Sequence, residues 1–502
     1  MIKKLLLLCS FALGLSIGSS AQRAVVYTTT ADGKKSLERT VEATSSSSSS
    51  QNIINLFPSK TNQSIDGFGY AMTYSSCYNL LKMPKALRTS LLKKTFSQSA
   101  GYGTSYVRIS IGCNDFSSTE YSLCDTKGSD ANLLEHFALQ SDETNYVLPI
   151  LKEILAINPD IKVIATPWTC PKWMKVDDIT DINPKDSWTD GHLNPDYYDA
   201  YAQYFVKFIE AMKSNGVKIY AVTPQNEPLN QGNCASLYFP WSEEADFVKV
   251  LAAKFKQNSL TTKIYVYDHN YNYDNKTDQD NYPLQLYNKI GDNFVGSELV
   301  VGAAYHNYGG NNGVLNYIHG QKPDKELIFS ETSIGEWNKG RDLTIRLVPD
   351  MKEVVLGTLN KWCKSVLVWN FMLDTNNGPN LDGGCKTCYG AIDINPNGYK
   401  DMTYNSHYYV ISHISAVVKP GAYRIDTDGW WATDMDYSAY KNPDGTLAII
   451  FASSNVEDQY FVVTDGSHYV NVTVPSNSVV SVLFGDIVEP TSDIVEIGRA
   501  HV

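Results

Sequence analysis

The chain has 502 residues, of which 43% are hydrophobic and 19% charged, a composition typical of a folded protein. Asp and Glu outnumber Lys and Arg by 54 to 42, the net charge is −12, and no basic cluster of the kind that binds nucleic acid is present. We therefore expect no nucleic acid as a partner. The 33 tyrosines and 9 tryptophans suit either an aromatic core or rings that stack on sugars.

The N-terminus has the pattern of a secretory signal peptide. Lys3 and Lys4 form a positive segment, an apolar run follows from residue 5 to residue 17, and small residues precede a cleavage point after Ala21. No later run reaches the roughly 18 apolar residues that a membrane span needs. The sequence therefore predicts a secreted or periplasmic protein whose mature chain does not span a membrane.

Residues 22–51 are predicted to be a disordered leader or linker, because they contain a run of six serines that cannot pack a core. Folded sequence is expected from residue 52. Eight of the nine cysteines follow the signal segment, and the pair Cys385 and Cys388 predicts either a local disulfide or free thiols. A zinc site is disfavoured, since no second such pair and no nearby histidine ligands accompany them.

From residue 67 to residue 405, short β-rich apolar runs alternate with longer helical patterns. Eight strands that alternate with helices favour a closed parallel (β/α)8 barrel over a doubly wound sheet. The predicted strands are Gly67–Met72, Ser105–Ile111, Lys162–Thr166, Ile219–Thr223, Lys263–Tyr267, Leu299–Ala304, Glu326–Ser330 and Ser365–Trp369. The clearest helical patterns are Tyr146–Ala156, Tyr197–Ser214, Glu243–Gln257 and Met351–Cys363.

The C-terminal part has a different pattern, with short alternating runs separated by turn sequences. This pattern predicts an antiparallel β-sandwich over residues 406–487, attached to the barrel as a structural companion. The predicted strands are Gly429–Ala439, Leu447–Ser453, Gln459–Val463, Tyr469–Val474 and Val479–Phe484. Residues 488–502 form a tail, whose last seven residues correspond to the translation of a common sequencing adapter, and we hypothesise that they are an assembly artefact.

Two glutamates stand at the ends of predicted barrel strands, where the active sites of such barrels lie. Glu227 follows one strand in an Asn-Glu-Pro sequence, and Glu331 ends another. Either alone fits a capping or ion-paired residue, but two together fit glycoside hydrolysis, in which one carboxyl protonates the leaving oxygen while the other attacks the anomeric carbon. A spacing of about 5 Å would give retention of configuration, and repulsion with partial burial would keep the acid protonated.

At these residues the sequence resembles glycoside hydrolase family 30, the group that includes the glucosylceramidase-like enzymes. The resemblance covers about residues 52–487, and six motifs carry it in the right order. They are Asp66-Gly-Phe-Gly69, Tyr106-Val-Arg-Ile-Ser-Ile-Gly-Cys-Asn-Asp115, Thr166-Pro-Trp168-Thr-Cys-Pro-Lys-Trp173, Asn226-Glu-Pro228, Phe329-Ser-Glu331 and Trp369-Asn-Phe-Met-Leu with Gly378-Pro-Asn380. The resemblance also implies that residues 52–66 contribute to the sandwich.

The resemblance implies a role for each matching residue. Glu227 matches the acid/base and Glu331 the nucleophile, while Asn226 matches the asparagine that binds the sugar 2-hydroxyl. The other matches surround the sugar: Arg108, Asp115, Trp168, His306, Tyr308, Trp369 and Asn380. For Arg108 an ion pair that orients a glutamate is the alternative, and for the tryptophans it is core packing.

No cofactor or metal is expected, because two carboxylates suffice for the reaction and no ligand cluster is visible in the sequence. The resemblance also implies a substrate class. The stretch from Leu229 to Trp241 looks like the branch that acts on β-1,6-linked glucans, so a retaining β-1,6-glucanase is the first expectation. Glucosylceramidase or β-glucosidase and β-xylosidase activities are alternatives, as is a carbohydrate-binding protein that has lost catalysis. Asn307 stands where glucosylceramidase-like relatives often carry tryptophan, which disfavours a ceramide aglycone.

Overall fold

The computed structural model of the protein describes residues 23–485. The predicted signal peptide, with its cleavage point after Ala21, and the predicted tail 488–502 lie outside the described residues. The described chain forms a closed eight-stranded barrel and a nine-stranded sheet, with short strands in the loops. No helix between residues 23 and 485 combines the length and the hydropathy that a membrane span requires.

Three strands precede the barrel: β1 Arg23–Thr30, β2 Glu38–Ala43 and β3 Ile53–Ser64. β1 pairs along its whole length with the last strand of the described chain, so the prediction of a disordered leader at 22–51 is wrong. The reason lies in the sequence of β1, in which Val, Tyr and Thr predominate, the residues that suit a pleated sheet. The serine run only connects β2 to β3.

All eight predicted barrel strands are present, and each is parallel to both neighbours in a closed ring. They are β4 Gly67–Ala71, β5 Tyr106–Ser110, β6 Lys162–Thr166, β7 Ala221–Val222, β8 Lys263–Asn270, β9 Val300–His306, β10 Glu326–Glu331 and β11 Cys363–Val368. Their order around the barrel is their order in the chain, which is the topology of a (β/α)8 barrel. β8 and β9 extend further than predicted, and both extensions carry polar residues.

Within residues 23–485, ten α-helices accompany the strands. They are α1 Tyr74–Lys82, α2 Lys85–Phe96, α3 Leu148–Ile157, α4 Tyr198–Ser214, α5 Trp241–Gln257, α6 Tyr282–Ile290, α7 Gly313–Gln321, α8 Leu343–Asp350, α9 Gly357–Leu359 and α10 Ser406–Val417. Three of the four predicted helices are present with shifted ends, but the predicted helix Met351–Cys363 is a π-helix over Met351–Leu356 followed by a short α-helix. π-Helical turns at Glu143–Val147 and Met351–Leu356 lie directly before α3 and α9. The sandwich was expected from residue 406, but the helix α10 occupies that position, and eleven of its twelve residues are buried. The C-terminal strands begin only at Tyr423.

The lower end of the barrel, where the strands begin, is closed by charge. Lys263 and Lys364 contact Glu326 at 2.9 and 2.7 Å, and Lys162 contacts Asp66 at 3.0 Å. Above this layer the interior is filled by a cluster of one residue from each of seven strands: Tyr106, Ile164, Ala221, Tyr265, Ala304, Ile328 and Leu367. The barrel is therefore a packed core, open to chemistry only at the ends of its strands.

The nine-stranded sheet contains β1, β2, β3 and six C-terminal strands: β12 Tyr423–Gly429, β13 Met435–Lys441, β14 Leu447–Ser453, β15 Gln459–Thr464, β16 Tyr469–Val474 and β17 Ser478–Gly485. Its order is β2-β1-β17-β14-β13-β12-β3-β15-β16, and every strand except β2 contributes to one buried apolar cluster. The predicted strand Gly429–Ala439 is wrong in its first half: Gly429 ends β12 and β13 begins only at Met435, because Gly429 and Asp434 have positive φ values of 103° and 61° that break the extended run. The sheet is antiparallel except where β3 pairs in parallel with β15, and residues 52–66 do contribute to it.

Candidate active site

The carboxyl ends of the barrel strands bring the two predicted glutamates together. Glu227 and Glu331 are both buried, and one oxygen of each lies within 4.8 Å of the other and of a His306 ring nitrogen. β10 ends at Glu331, and β9 ends at His306. The three side chains therefore form one compact group at the mouth of the barrel.

The backbone at Glu227 is unusual. Its φ is +46°, in the left-handed region that non-glycine residues rarely adopt, and this conformation costs about 1 kcal/mol or more. The Glu227 N–H donates to the carbonyl of Asp268 at 3.0 Å, which holds the turn against β8. Asn230, three residues later, donates from its amide to Glu227 Oε2 at 2.8 Å. The loop after β7 thus fixes both the backbone and the carboxylate of Glu227.

Glu331 receives hydrogen bonds from two donors. Arg108, fully buried on β5, donates to Glu331 Oε2, and the Tyr308 hydroxyl donates to Glu331 Oε1 at 3.0 Å. Ser333 lies 3.0 Å from the same hydroxyl and orients it. Arg108 also donates to Asn226 Oδ1 at 2.7 Å. Arg108 therefore forms the ion pair with Glu331 that was the alternative role for it, and it also contacts Asn226, another predicted site residue.

Asp268 is the residue at the centre of this site that the sequence reasoning missed. It is fully buried on β8 and accepts from Arg108 at 2.9 Å, from Thr223 at 2.7 Å and from Ser330. His306 Nε2 lies 3.0 Å from Asp268 Oδ1, the oxygen that also accepts from Ser330. The sequence does contain a sign of it, since the polar sequence Asp-His-Asn directly follows the predicted strand that ends at Tyr267, at the end of the barrel where active-site residues lie.

The ionisation of these groups follows from burial and from their neighbours. Burial raises the pKa of Asp268, but the charge of Arg108 and the bond to His306 overcome it and hold that pKa well below its usual range. Burial lowers the pKa of His306, but the charge of Glu331 and the bonds to Asp268 and Glu227 raise it overall to about 9. His306 is therefore a cation at neutral pH in the free protein.

The two glutamates differ in pKa. For Glu227 burial is overcome by the hydrogen bond from His306 and by the positive charge of that ring, so its pKa falls to about 2. For Glu331 burial is the larger effect, and its pKa is raised despite the charges of His306 and Arg108. While His306 is charged, Glu227 is therefore the stronger acid of the two.

The predicted aromatic walls lie on the guanidinium of Arg108. Trp168 and Trp369 stack with ring centroids 5.2 Å apart, and the Arg108 guanidinium lies 5.0 Å from the first centroid and 5.6 Å from the second. The two residues are only 2% and 4% exposed. Packing and cation–π contact therefore cover most of the surface of both rings.

Asp115 and Asn380 occupy different positions relative to the glutamates. Burial and the negative charge of Glu331 raise the pKa of Asp115 to about 8, so this carboxyl is largely protonated at neutral pH. Asn380 instead donates its side-chain amide to the carbonyls of Asn377 and Cys385 in its own loop. That loop contains the disulfide between Cys385 and Cys388, which was one of the two expected states of this pair.

Glu227, His306 and Glu331 also form a group of side chains able to offer three ligand atoms to a metal ion. The sequence alone does not reveal this cluster, because the three residues are far apart in the chain. Arg108 already binds Glu331, and both nitrogens of His306 face carboxylates, so a cation would have to displace these partners. The donor set therefore fits a proton and hydrogen-bond network better than a metal.

Comparison with known proteins identifies two family domains. The model of the glycosyl hydrolase family 30 TIM-barrel domain matches residues 65–418, more than half of the chain. The model of the β-sandwich domain of the same family matches residues 421–482. The first match contains both glutamates, Asp268 and His306.

Individual relatives agree with these matches. Endo-1,6-beta-D-glucanase BGN16.3 of Trichoderma harzianum is 30% identical over 435 residues, which cover 83% of each chain. Putative glucosylceramidase 4 of Caenorhabditis elegans is 27% identical and covers 92% of this chain and 89% of the relative. The solved structure of the endo-beta1,6-glucanase BT3312 is 54% identical, with a TM-score of 0.89, and covers 92% of this chain and 99% of that chain.

The charge on His306 can be measured directly. In the free protein we expect nitrogen-detected NMR to show both His306 nitrogens protonated at neutral pH, with loss of the proton near pH 9. Since the folded pKa is raised, the stability that this cation contributes is complete below about pH 6.5 and is lost as the pH rises through about 9.

His413 provides the control in the same spectrum. It lies between the hydroxyls of Thr29 and Ser481, and burial lowers its pKa to about 3, so its ring should be neutral throughout. His306→Gln assigns the signal. A His306 ring that loses its proton below about pH 7 would contradict the prediction.

Proposed function

The chain belongs to glycosyl hydrolase family 30 and is a glycosidase, and we propose that it hydrolyses β-1,6-linked glucan with retention of configuration. The observation that carries the proposal is the approach of the Glu227 and Glu331 carboxylate oxygens to within 4.8 Å. Retaining enzymes hold their carboxyl groups about 5–5.5 Å apart, whereas inverting enzymes need about 6.5–9.5 Å to admit water. The substrate follows the names of the relatives at 30% and 54% identity.

We assign Glu331 as the nucleophile and Glu227 as the acid/base. Arg108 and Tyr308 both donate to Glu331, which favours its ionised form during attack on the anomeric carbon. Glu227 instead has the titratable His306 ring as a partner, at 3.3 Å. In the reaction Glu227 must donate a proton to the leaving oxygen and later accept one from water.

His306 supplies a route for that proton. Transfer from His306 Nδ1 to Glu227 Oε1 gives a neutral imidazole and a protonated carboxyl, and the net charge of the site does not change. The neutral ring keeps its Nε2–H toward Asp268 at 3.0 Å, so it stays oriented. Glu331 then faces a neutral histidine and keeps Arg108 as its counter-charge. We propose that this is the protonation state that reacts.

The surrounding residues fit binding of the sugar. Asn226 is held by Arg108 beside the acid/base, in the position that the family uses for the sugar 2-hydroxyl. The protonated carboxyl of Asp115 is available as a donor to a sugar oxygen. Export through the N-terminal signal segment remains part of the proposal, since a polysaccharide substrate lies outside the cell.

The substrate is tested by product analysis on a panel of glycans. We expect cleavage of β-1,6-glucan with a β-anomeric first product and much slower reaction on β-1,3- and β-1,4-glucans, xylan and glucosylceramide. Anomer detection by NMR in the first minutes separates retention from inversion. Preferential cleavage of any other member of the panel would contradict the proposed substrate, and an α-anomeric product would contradict the mechanism.

The roles of the two glutamates are separated by rescue with azide. In Glu227→Ala, an aryl glycoside with a good leaving group should still form the glycosyl-enzyme, and azide should release it as the β-glycosyl azide after two inversions. In Glu331→Ala, azide can only attack directly, so the product should be the α-glycosyl azide. Without azide each variant should lose about 10⁴-fold or more on glucan.

The same pair of variants can refute the assignment. The opposite anomers would exchange the two roles. Absence of azide rescue in both variants, with the fold intact by circular dichroism, would remove both residues from the reaction.

Activity should not require a metal, because the carboxylates and His306 already satisfy one another. After exhaustive dialysis against EDTA we expect the full rate on glucan. Thermal unfolding in EDTA, followed in parallel, controls for a structural ion elsewhere. A loss of rate that one divalent cation restores, without a change in the unfolding temperature, would show that the three-ligand group binds a metal.

A further inference from the structure

A polar groove adjoins the acid/base side of the site. Its volume is about 470 Å³, within the range of about 300–1,000 Å³ typical of small-molecule sites. The loops after β7, β8 and β9 line it. Two of its lining residues are already in the site, since Asn230 donates to Glu227 and Tyr308 donates to Glu331. The groove therefore begins directly beside both carboxylates.

The chemistry of the groove fits a sugar and not a lipid. Its walls carry amides, one lysine and one aspartate, and Leu229 is the one aliphatic side chain among the lining residues. The amide and ammonium groups match the donors and acceptors of sugar hydroxyls. Tyr308 is 43% exposed, and its hydroxyl is fixed to Glu331 and Ser333, so its ring presents a fixed apolar face.

The groove is also held in shape. Lys276 Nζ lies 3.0 Å from Gln231 Oε1, a contact that joins the loop after β8 to the loop after β7. Asn270 accepts from the Tyr308 N–H at 3.0 Å and donates to Asp274 at 2.8 Å. At Gly309 a Cβ atom would lie 2.6 Å from Asn272 Oδ1, so a side chain at this position would require Asn272 to move.

We propose that this groove binds the leaving part of the β-1,6-glucan, with Lys276 and Gln231 as residues that determine specificity for a sugar aglycone. The inference rests on the proposed function. The general acid must touch the oxygen that joins the reacting sugar to the leaving group, so the leaving group lies on the Glu227 side. The groove is the space that this side offers, and its polar walls explain selection of a glycan over a ceramide.

Two variants test the groove, one steric and one polar. Gly232 lines it and has no positive φ, and a Cβ atom added there would have only Asn230 Oδ1 within 4 Å, at 3.8 Å. Gly232→Leu therefore places bulk in the groove without strain. Lys276→Ala removes the ammonium group. Gly320→Leu is the matched control, since Gly320 is exposed on α7 and a Cβ atom added there would meet nothing within 4 Å.

The readout is a ratio of kcat/KM values on two substrates. A gentio-oligosaccharide fills the groove with sugar, whereas an aryl β-gentiobioside places only the aryl group on that side. We expect Gly232→Leu and Lys276→Ala to lower kcat/KM on the oligosaccharide about tenfold or more and to change the aryl substrate less than about twofold. Gly320→Leu should change neither.

Equal losses on both substrates, or no loss on either, would overturn the proposal. Failure of the proposed function has a different signature, since the wild-type protein would then prefer another glycan in the panel. In that case the ratio is measured with oligosaccharides and aryl glycosides of that glycan. The groove proposal is then judged independently of the linkage.

Discussion

The site depends on one buried carboxylate, Asp268. Two glutamates within 4.8 Å of each other repel, and burying a charge without a partner costs several kcal/mol. Arg108 and His306 offset that cost, and both bind Asp268, at 2.9 and 3.0 Å. Within the described chain, removing Asp268 would leave Arg108 with only Glu331 and Asn226 as charged or amide partners, and His306 with only the glutamates. Asp268 therefore makes the two glutamate carboxylates compatible, although its own carboxylate contacts neither of them.

The backbone geometry serves the same arrangement. Tyr267 and Asp268 have φ values of +76° and +63°, and the register between β8 and β9 shifts between Tyr267 and His269. This bulge brings the Asp268 side chain into contact with residues of β5, β10 and the end of β7. The Asp268 carbonyl accepts from the Glu227 N–H, so the unfavourable conformation in β8 and the one in the loop after β7 support each other.

The sequence predicts much of this site because the barrel repeats a simple rule. Eight apolar runs alternate with helices, and polar residues such as Glu227 and Glu331 at the ends of these runs must meet at one face. The resemblance to a known family then identified His306 and Tyr308. Asp268 was missed because its strand was predicted to end at Tyr267, three residues before its end at Asn270, just where the bulge breaks the alternation of β8.

Long-range pairing accounts for the other errors. β1 has the composition of a strand, but its partner β17 lies more than 440 residues away, and the serine run between β1 and the barrel suggested disorder instead. The role of Asn380 could not be predicted from its motif, since its hydrogen bonds depend on how the disulfide loop folds back. Local patterns predict elements, whereas partners far apart in the chain depend on the assembled fold.

The two ends of the barrel contrast in their charge. At the lower end three lysines face Asp66 and Glu326, and contacts at 2.7 to 3.0 Å give each of these two carboxylates a cation. At the mouth, among the described residues, two cations, Arg108 and His306, face four buried carboxyl groups. His269 does not add a third cation, because burial lowers its pKa. The four carboxyl groups are those of Asp115, Glu227, Asp268 and Glu331. An excess of buried carboxyl groups must be relieved by protons, and these protons can move between neighbouring oxygens and His306. The lower end can therefore stabilise the fold, while the imbalance at the mouth provides the mobile proton that acid catalysis requires.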